Sequence, residues 1–290
     1  MNNHCTYVYR MNRCASDNMQ IAETKTMIIY NILSKKEAQN TLEKMTGITW
    51  SEWKGIRDSY DRDQWSYEDD YIEDVLKEKN VTLPSFYELE FVFSHVTTSA
   101  NGCIDIRKYG LITHACQNNK TELCAFLHEN GVAIDLSRRE LHYFDKVFDV
   151  SYDKCPLEYM ETEYAAWLVG RKLYYDYGIC GFLSYGNTAY GGYVHRRPEL
   201  LMNIDRLLKT DLADKWEDTH QPYEVIAHIG AKMVVCDGDE RCDDQRKVME
   251  YLMKAYWCAF SDNENIVLLR SEVEVPPENI WKVRPFEAWK

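Results

Sequence analysis

Apolar and polar positions alternate most cleanly at Tyr87, Leu89, Phe91, Phe93 and His95, interleaved with Glu88, Glu90, Val92 and Ser94. A period of two predicts a β-strand and puts His95 at its end, on the apolar side. Residues 17–46 read as helical, with Ser34 and Glu37 spaced as a capping box. Trp50 to Lys79 reads as a polar amphipathic helix whose apolar stripe is Tyr71, Ile72, Val75 and Leu76. After the strand come a helix ending near Gly110 and a second ending at Gly131, both glycines suited to a left-handed stop. Residues 132–145 read as two short strands around Ser137-Arg138-Arg139, and 156–177 as a long helix. Cys180 to Tyr185 is a buried strand, 211–219 and 240–260 are helices, and 223–235 and 266–277 are strands, the last stopped by Pro276 and Pro277. Strands and helices neither alternate strictly nor segregate. That predicts an α+β protein with split or mixed sheets rather than a doubly wound fold.

Composition narrows the function. The chain has 290 residues, 34 Lys+Arg against 47 Asp+Glu, and a formal net charge of −13. Bulk electrostatic attraction to nucleic acid or to anionic lipid is therefore excluded. No apolar run is long enough to span a bilayer, and Met1 to Cys14 has no apolar signal core, so a cytosolic protein is expected. The ten cysteines form no Cys-x-x-Cys pair and read as reduced thiols. Zinc remains an option at His4, Cys5 and Cys14, or at Cys236 and Cys242. The 21 Tyr and 8 Trp suit a pocket for planar rings or, equally, an aromatic-rich core. The acidic stretch from Asp61 to Asp74 is a solvated face or an electrostatic partner surface.

Several chemistries are absent: no phosphate-binding P-loop, no Gly-x-Ser-x-Gly elbow and no His-Glu-x-x-His helix occur. Three segments remain. His95 is followed by Val96-Thr97-Thr98-Ser99 and then by a helix ending in Lys108-Tyr109-Gly110. Tyr190-Gly191-Gly192-Tyr193 leads into His195-Arg196-Arg197-Pro198-Glu199, where glycines permit close backbone approach to a ligand. Glu272-Val273-Glu274-Val275, read as strand, projects two carboxylates to one face. The plainer readings are a core histidine with a capping Ser/Thr turn, a hairpin loop and an exposed edge.

A strand ending in His-x-Thr-Thr, followed by a helix ending in Tyr-Gly-Leu, resembles the first strand and helix of ADP-ribosyltransferase-like proteins. That group includes toxin-type ADP-ribosyltransferases and tRNA 2′-phosphotransferases. Glu272 to Pro277 is similar to the Glu-x-Glu strand of the toxin-type members, and Val275 to Ile280 to the closing segment of the phosphotransferases. The resemblance spans about 88 to 290. It implies a split mixed β-sheet core at 85–290; residues 1–87 are outside the resemblance, and 1–84 read from their own pattern as an acidic N-terminal helical segment. It implies NAD as substrate, with His95 bonding its ribose, and Thr97, Thr98, Tyr109 and Gly110 in the same site. Tyr190 or Tyr193 would stack on nicotinamide. Glu274 would be the catalytic acid and Glu272 would position the acceptor, with Glu199 as a competitor for the carboxylate role. The absence of a Ser-Thr-Ser motif places the chain in the His-Tyr-Glu branch of that resemblance. No metal is required. The acceptor would be a macromolecule, protein preferred over nucleic acid, and an inhibitor or antitoxin partner is compatible. Two alternatives stand: an RNA 2′-phosphotransferase, using Arg138, Arg139, Arg196 and Arg197 for phosphate, and a non-catalytic defence or phage accessory binding protein.

Overall fold

The computed structural model describes residues 27–157, 160–186, 195–235 and 242–287. It opens with a short strand, β1 (Ile28–Tyr30), and three helices: α1 (Lys35–Thr46), α2 (Trp50–Asp58) and α3 (Glu68–Glu78). Ser34 caps α1 by accepting the Glu37 N–H, and Gly47 ends it at φ 71. The expected single helix over 17–46 is corrected within the described residues: β1 precedes the cap. Its three β-prone residues pair in parallel with a longer strand. The expected helix over 50–79 is two helices, separated by the turn around Asp61 to Ser66.

The long strand is β2 (Leu89–Ser99), entered through a tight turn at Phe86–Glu88. Then follow α4 (Ile104–Tyr109), α5 (Glu122–Glu129), β3 (Val132–Asp135), β4 (Glu140–Tyr143), β5 (Lys146–Asp149) and α6 (Glu161–Tyr174). The chain continues as β6 (Cys180–Ser184), α7 (Glu199–Leu208), α8 (Leu212–Thr219), β7 (Gln221–Gly230), β8 (Val234–Val235), α9 (Asp244–Phe260), β9 (Asn265–Leu269) and β10 (Ile280–Pro285). The protein is α+β.

Among the described residues, the main sheet has the order β10-β7-β2-β6-β9-β8, with β1 also on β2. Every pairing in it is antiparallel except β1 with β2. β7 runs along β2 from Glu90↔Gly230 to Ser99↔Gln221. A strand has only two edges, so β1 at Leu89–Phe91 and β6 at Ser94 share the other one. β3, β4 and β5 form a small antiparallel sheet apart from it.

Two cores flank this frame. In the first, Tyr30, Phe86, Phe91 and Tyr251 bring β1, β2 and α9 into one aromatic cluster. The Tyr30 hydroxyl is buried and donates to the Tyr251 carbonyl at 2.8 Å. The apolar faces of α1, α2 and α3 join the same core through Leu42, Trp53 and Ile72. Truncating Phe91 to Ala is expected to cost about 3–5 kcal/mol. The second core joins α6, α7, α8 and the small sheet through Leu141, Val169, Ile204 and Trp216. No helix among the described residues is long and apolar enough to cross a membrane.

One correction bears on chemistry. Glu272 and Glu274 are not on a strand: β9 stops at Leu269, and the last strand, β10, begins only after Pro276 and Pro277. Between them Val273 and Val275 are buried while Glu272 and Glu274 are exposed. The alternation the sequence shows is real, but it belongs to a loop held by a single bridge, Val275 to Leu111.

Candidate functional site

β2 ends at Ser99, and the way it ends builds the site. The Ser99 hydroxyl accepts the Cys103 N–H at 2.8 Å, starting α4, and donates to Glu122 Oε2 at 2.5 Å. Glu122 Oε1 accepts the Ala100 N–H at 3.1 Å, and Asp105 Oδ2 accepts the Glu122 N–H at 3.2 Å. Carboxylates in the first turns of α4 and α5 therefore tie the two helices to the strand end, where helix dipoles favour negative charge.

α4 stops at Gly110, φ 83. A Cβ there would lie 1.9 Å from the Val275 carbonyl oxygen, so the position needs glycine both for its dihedral and for its space. This close approach lets Leu111 and Val275 exchange two main-chain hydrogen bonds of 2.9 Å each.

The space enclosed is a cavity of about 250 Å³. The sequence-selected His95, Thr97, Thr98 and Gly110 all line it, together with Asp105, Glu122, His114, Tyr177, Pro198 and Trp216. The buried indole of Trp216 donates to Thr98 Oγ1 at 2.7 Å, fixing that hydroxyl. His95 Nδ1 lies 2.8 Å from the Cys180 carbonyl oxygen. A carbonyl only accepts, so Nδ1 carries the proton and Nε2 is left as an acceptor. Burial pushes the His95 pKa below the usual histidine range, against the opposing pull of the Cys180 carbonyl. The ring is neutral near pH 7.

Glu274 lies beside the cavity rather than in its wall. Its Oε1 is 3.5 Å from the hydroxyl of Thr113, whose chain neighbours Ile112 and His114 are lining residues. Glu272 is exposed on the same loop. Tyr109 is outside the lining, with Lys108 and Lys120 over its ring at 4.8 and 5.2 Å. Tyr190 and Tyr193 lie outside the described residues, as do His4, Cys5, Cys14 and Cys236. Glu199 pairs with Lys172 at 2.6 Å at the start of α7. The four arginines weighed for phosphate are each matched to a carboxylate: Arg138 to Asp135, Arg139 to Asp153, Arg196 to Glu217, and Arg197 to Asp214 and Glu217. None of the four lines the cavity.

Sequence reasoning missed Asp105, Glu122, His114 and Tyr177. Thr121 followed by Glu122 carried a legible signal, an N-cap with an acid in the first turn. His114 carried none, since its placement follows from a left-handed backbone at φ 50. No family model, curated protein or solved structure matches the chain.

Proposed function

We propose that the chain cleaves NAD and transfers its ADP-ribose to a macromolecular acceptor, protein in preference to nucleic acid, from a split-sheet core of the ADP-ribosyltransferase type. One observation carries this reading. Four residues of one sequence segment, His95, Thr97, Thr98 and Gly110, line one cavity, and a main-chain bridge seats Glu274, from a segment more than 150 residues away, at its edge. The cavity lies below the roughly 300–1,000 Å³ of typical small-molecule sites, so it suits one end of a dinucleotide.

The chemistry assigns the roles. The nicotinamide–ribose bond breaks with its electron pair leaving on the ring, which turns from a pyridinium cation into neutral nicotinamide. The ribose is left with oxocarbenium-like positive charge. Glu274 faces that charge and stabilises it. The acceptor's nucleophile forms the new bond to the ribose carbon, and its proton passes to the Glu274 carboxylate. His95 accepts a ribose hydroxyl through Nε2, and Thr97 and Thr98 add hydroxyls on the same wall. Glu272 is close enough in sequence to position the acceptor.

The 2′-phosphotransferase reading lacks a basic pocket among the described residues, because all four candidate arginines are paired with acids. The accessory-protein reading rests on the acidic stretch from Asp61 to Asp74, which includes the first turn of α3, and makes no use of the cavity. The deciding experiment incubates labelled NAD with the protein and a cell extract. Transfer of label, lost in Glu274→Gln, is the expected result. Intact NAD after long incubation, with no labelled partner, would overturn the proposal.

A further inference from the structure

The cavity holds a second imidazole, and its hydrogen bonding is opposite to that of His95. His114 stacks on Tyr177, with ring centroids 4.1 Å apart and planes at 20°. Its Nδ1 is buried without a hydrogen-bond partner. A neutral imidazole has one N–H and one lone pair. A buried N–H left without an acceptor is rarer and more costly than an unmet lone pair, so the proton belongs on Nε2. Burial holds His114 below the usual histidine range, as it does His95, so both rings are neutral near pH 7. Of the two lining imidazoles, His95 thus has an acceptor at Nε2 and His114 a donor at Nε2. The backbone of His114 is left-handed, a conformation that non-glycine residues keep when their surroundings demand it.

The charges around this pair have one sign. Asp105 and Glu122 line the cavity, their hydrogen bonds come from backbone N–H groups and a hydroxyl, and no Lys or Arg is among the described lining residues. Such a wall repels anions and tolerates a neutral or cationic ring.

We propose that His114, backed by Tyr177, positions the ligand of this cavity, donating through Nε2–H to the carbonyl oxygen of a carboxamide-bearing ring, while Asp105 and Glu122 set the specificity by turning away the anionic analogue. The proposal rests on the NAD reading for the identity of the ring. It assigns the cavity to the nicotinamide end of the dinucleotide, with the pyrophosphate outside.

The test is binding of three small probes to the whole protein: nicotinamide, nicotinate and adenosine. Nicotinate has the same ring with a carboxylate in place of the amide. Nicotinamide is expected to bind at least about tenfold more tightly than nicotinate, because the Asp105 and Glu122 carboxylates repel its charge; the His114 donor, which an oxygen of either probe accepts, is read by the variants that follow. His114→Asn, which tolerates a left-handed backbone but withdraws the donor, is expected to weaken nicotinamide about tenfold. His114→Gln, whose amide reaches the Nε2 position, is expected to restore part of it. Nitrogen-15 spectra of the imidazoles give a readout that needs no variant: His114 with its proton on Nε2 and His95 with its proton on Nδ1. Equal binding of nicotinamide and nicotinate, adenosine as the preferred probe, or His114 protonated on Nδ1 would each overturn the inference. Label transfer from NAD with equal binding of the two pyridines would leave the transferase standing and remove the selection by Asp105 and Glu122 from this cavity. Selective nicotinamide binding with NAD left intact would keep His114 and remove the transferase.

Discussion

Two pairs of carboxylates meet near the cavity and are held in opposite ways. Asp105 and Glu122 sit in its wall, and both acids accept hydrogen bonds from backbone N–H groups, with the Ser99 hydroxyl adding one to Glu122. Glu272 and Glu274 are exposed, on a loop whose attachment is made by the main chain of its neighbour Val275. The first pair is committed to architecture besides setting the charge of the wall, so its removal is felt first as lost stability. The second pair carries little structural duty, so its removal is felt as lost chemistry. A carboxylate's closeness to a cavity therefore says less about its role than the partners its oxygens already have.

The strongest way to break this contrast is Glu274→Gln. The rate of ADP-ribose transfer is expected to fall at least about a hundredfold, comparable with loss of other electrostatic stabilisers, while the melting temperature stays unchanged. A loss of folding instead would place Glu274 with the structural pair. Next comes Glu122→Ala, which removes the charged acceptor of the Ser99 hydroxyl and of the Ala100 N–H and leaves Asn101 Oδ1, at 3.1 Å, as the hydroxyl's acceptor. Denaturant unfolding is expected to show a loss of roughly 2–3 kcal/mol, the scale of hydrogen bonds to a charged group in a partly buried setting. An unchanged midpoint would show that the strand end holds without its acid.

Acid sharpens the comparison from the imidazole side. His95, His114, His195 and His220 are all held below the usual histidine range, with burial as the first cause in each. The unfolded chain then takes up protons that the folded chain refuses. Stability is complete above the ordinary histidine value of about 6.5 and declines as pH falls from there through the depressed folded values. Thermal melts between about pH 7 and pH 5 should show the decline, and a flat profile would contradict the burial of these rings. The smallest effect is expected at Thr113→Val. Its contact to Glu274 is 3.5 Å and exposed, so transfer should change by no more than about threefold. A larger loss would mean that Thr113 aims the carboxylate.

Much of the frame was legible because local signals agreed with the packing. The alternation through Phe91, Phe93 and His95 marks β2, Gly110 and Gly131 mark the ends around α4 and α5, and the Ser137-Arg138-Arg139 turn joins β3 to β4. The same alternation misled on burial. Val92 and Ser94 are as buried as Phe91, because a central strand has both faces covered. β1 is only three residues long and owes its form to pairing with β2, which no local window contains. Pro276 and Pro277 read as an end, yet a single tight turn at Pro277–Asn279 restarts the chain as β10. For the site, the motifs led to His95, Thr97, Thr98 and Gly110. The second imidazole and the wall carboxylates lie close by in sequence, at Asp105, His114 and Glu122, yet only the folded turns after β2 and α4 show that they face the same cavity.

The ladder between Leu111 and Val275 is made of peptide groups alone, and so it is indifferent to what side chains the acidic loop displays. Whatever residue is written at 272 or 274 will be presented from the same place. Saturation of those two positions would therefore read out reactivity on a fixed mount, with Gly110 as the one neighbour that must not be altered.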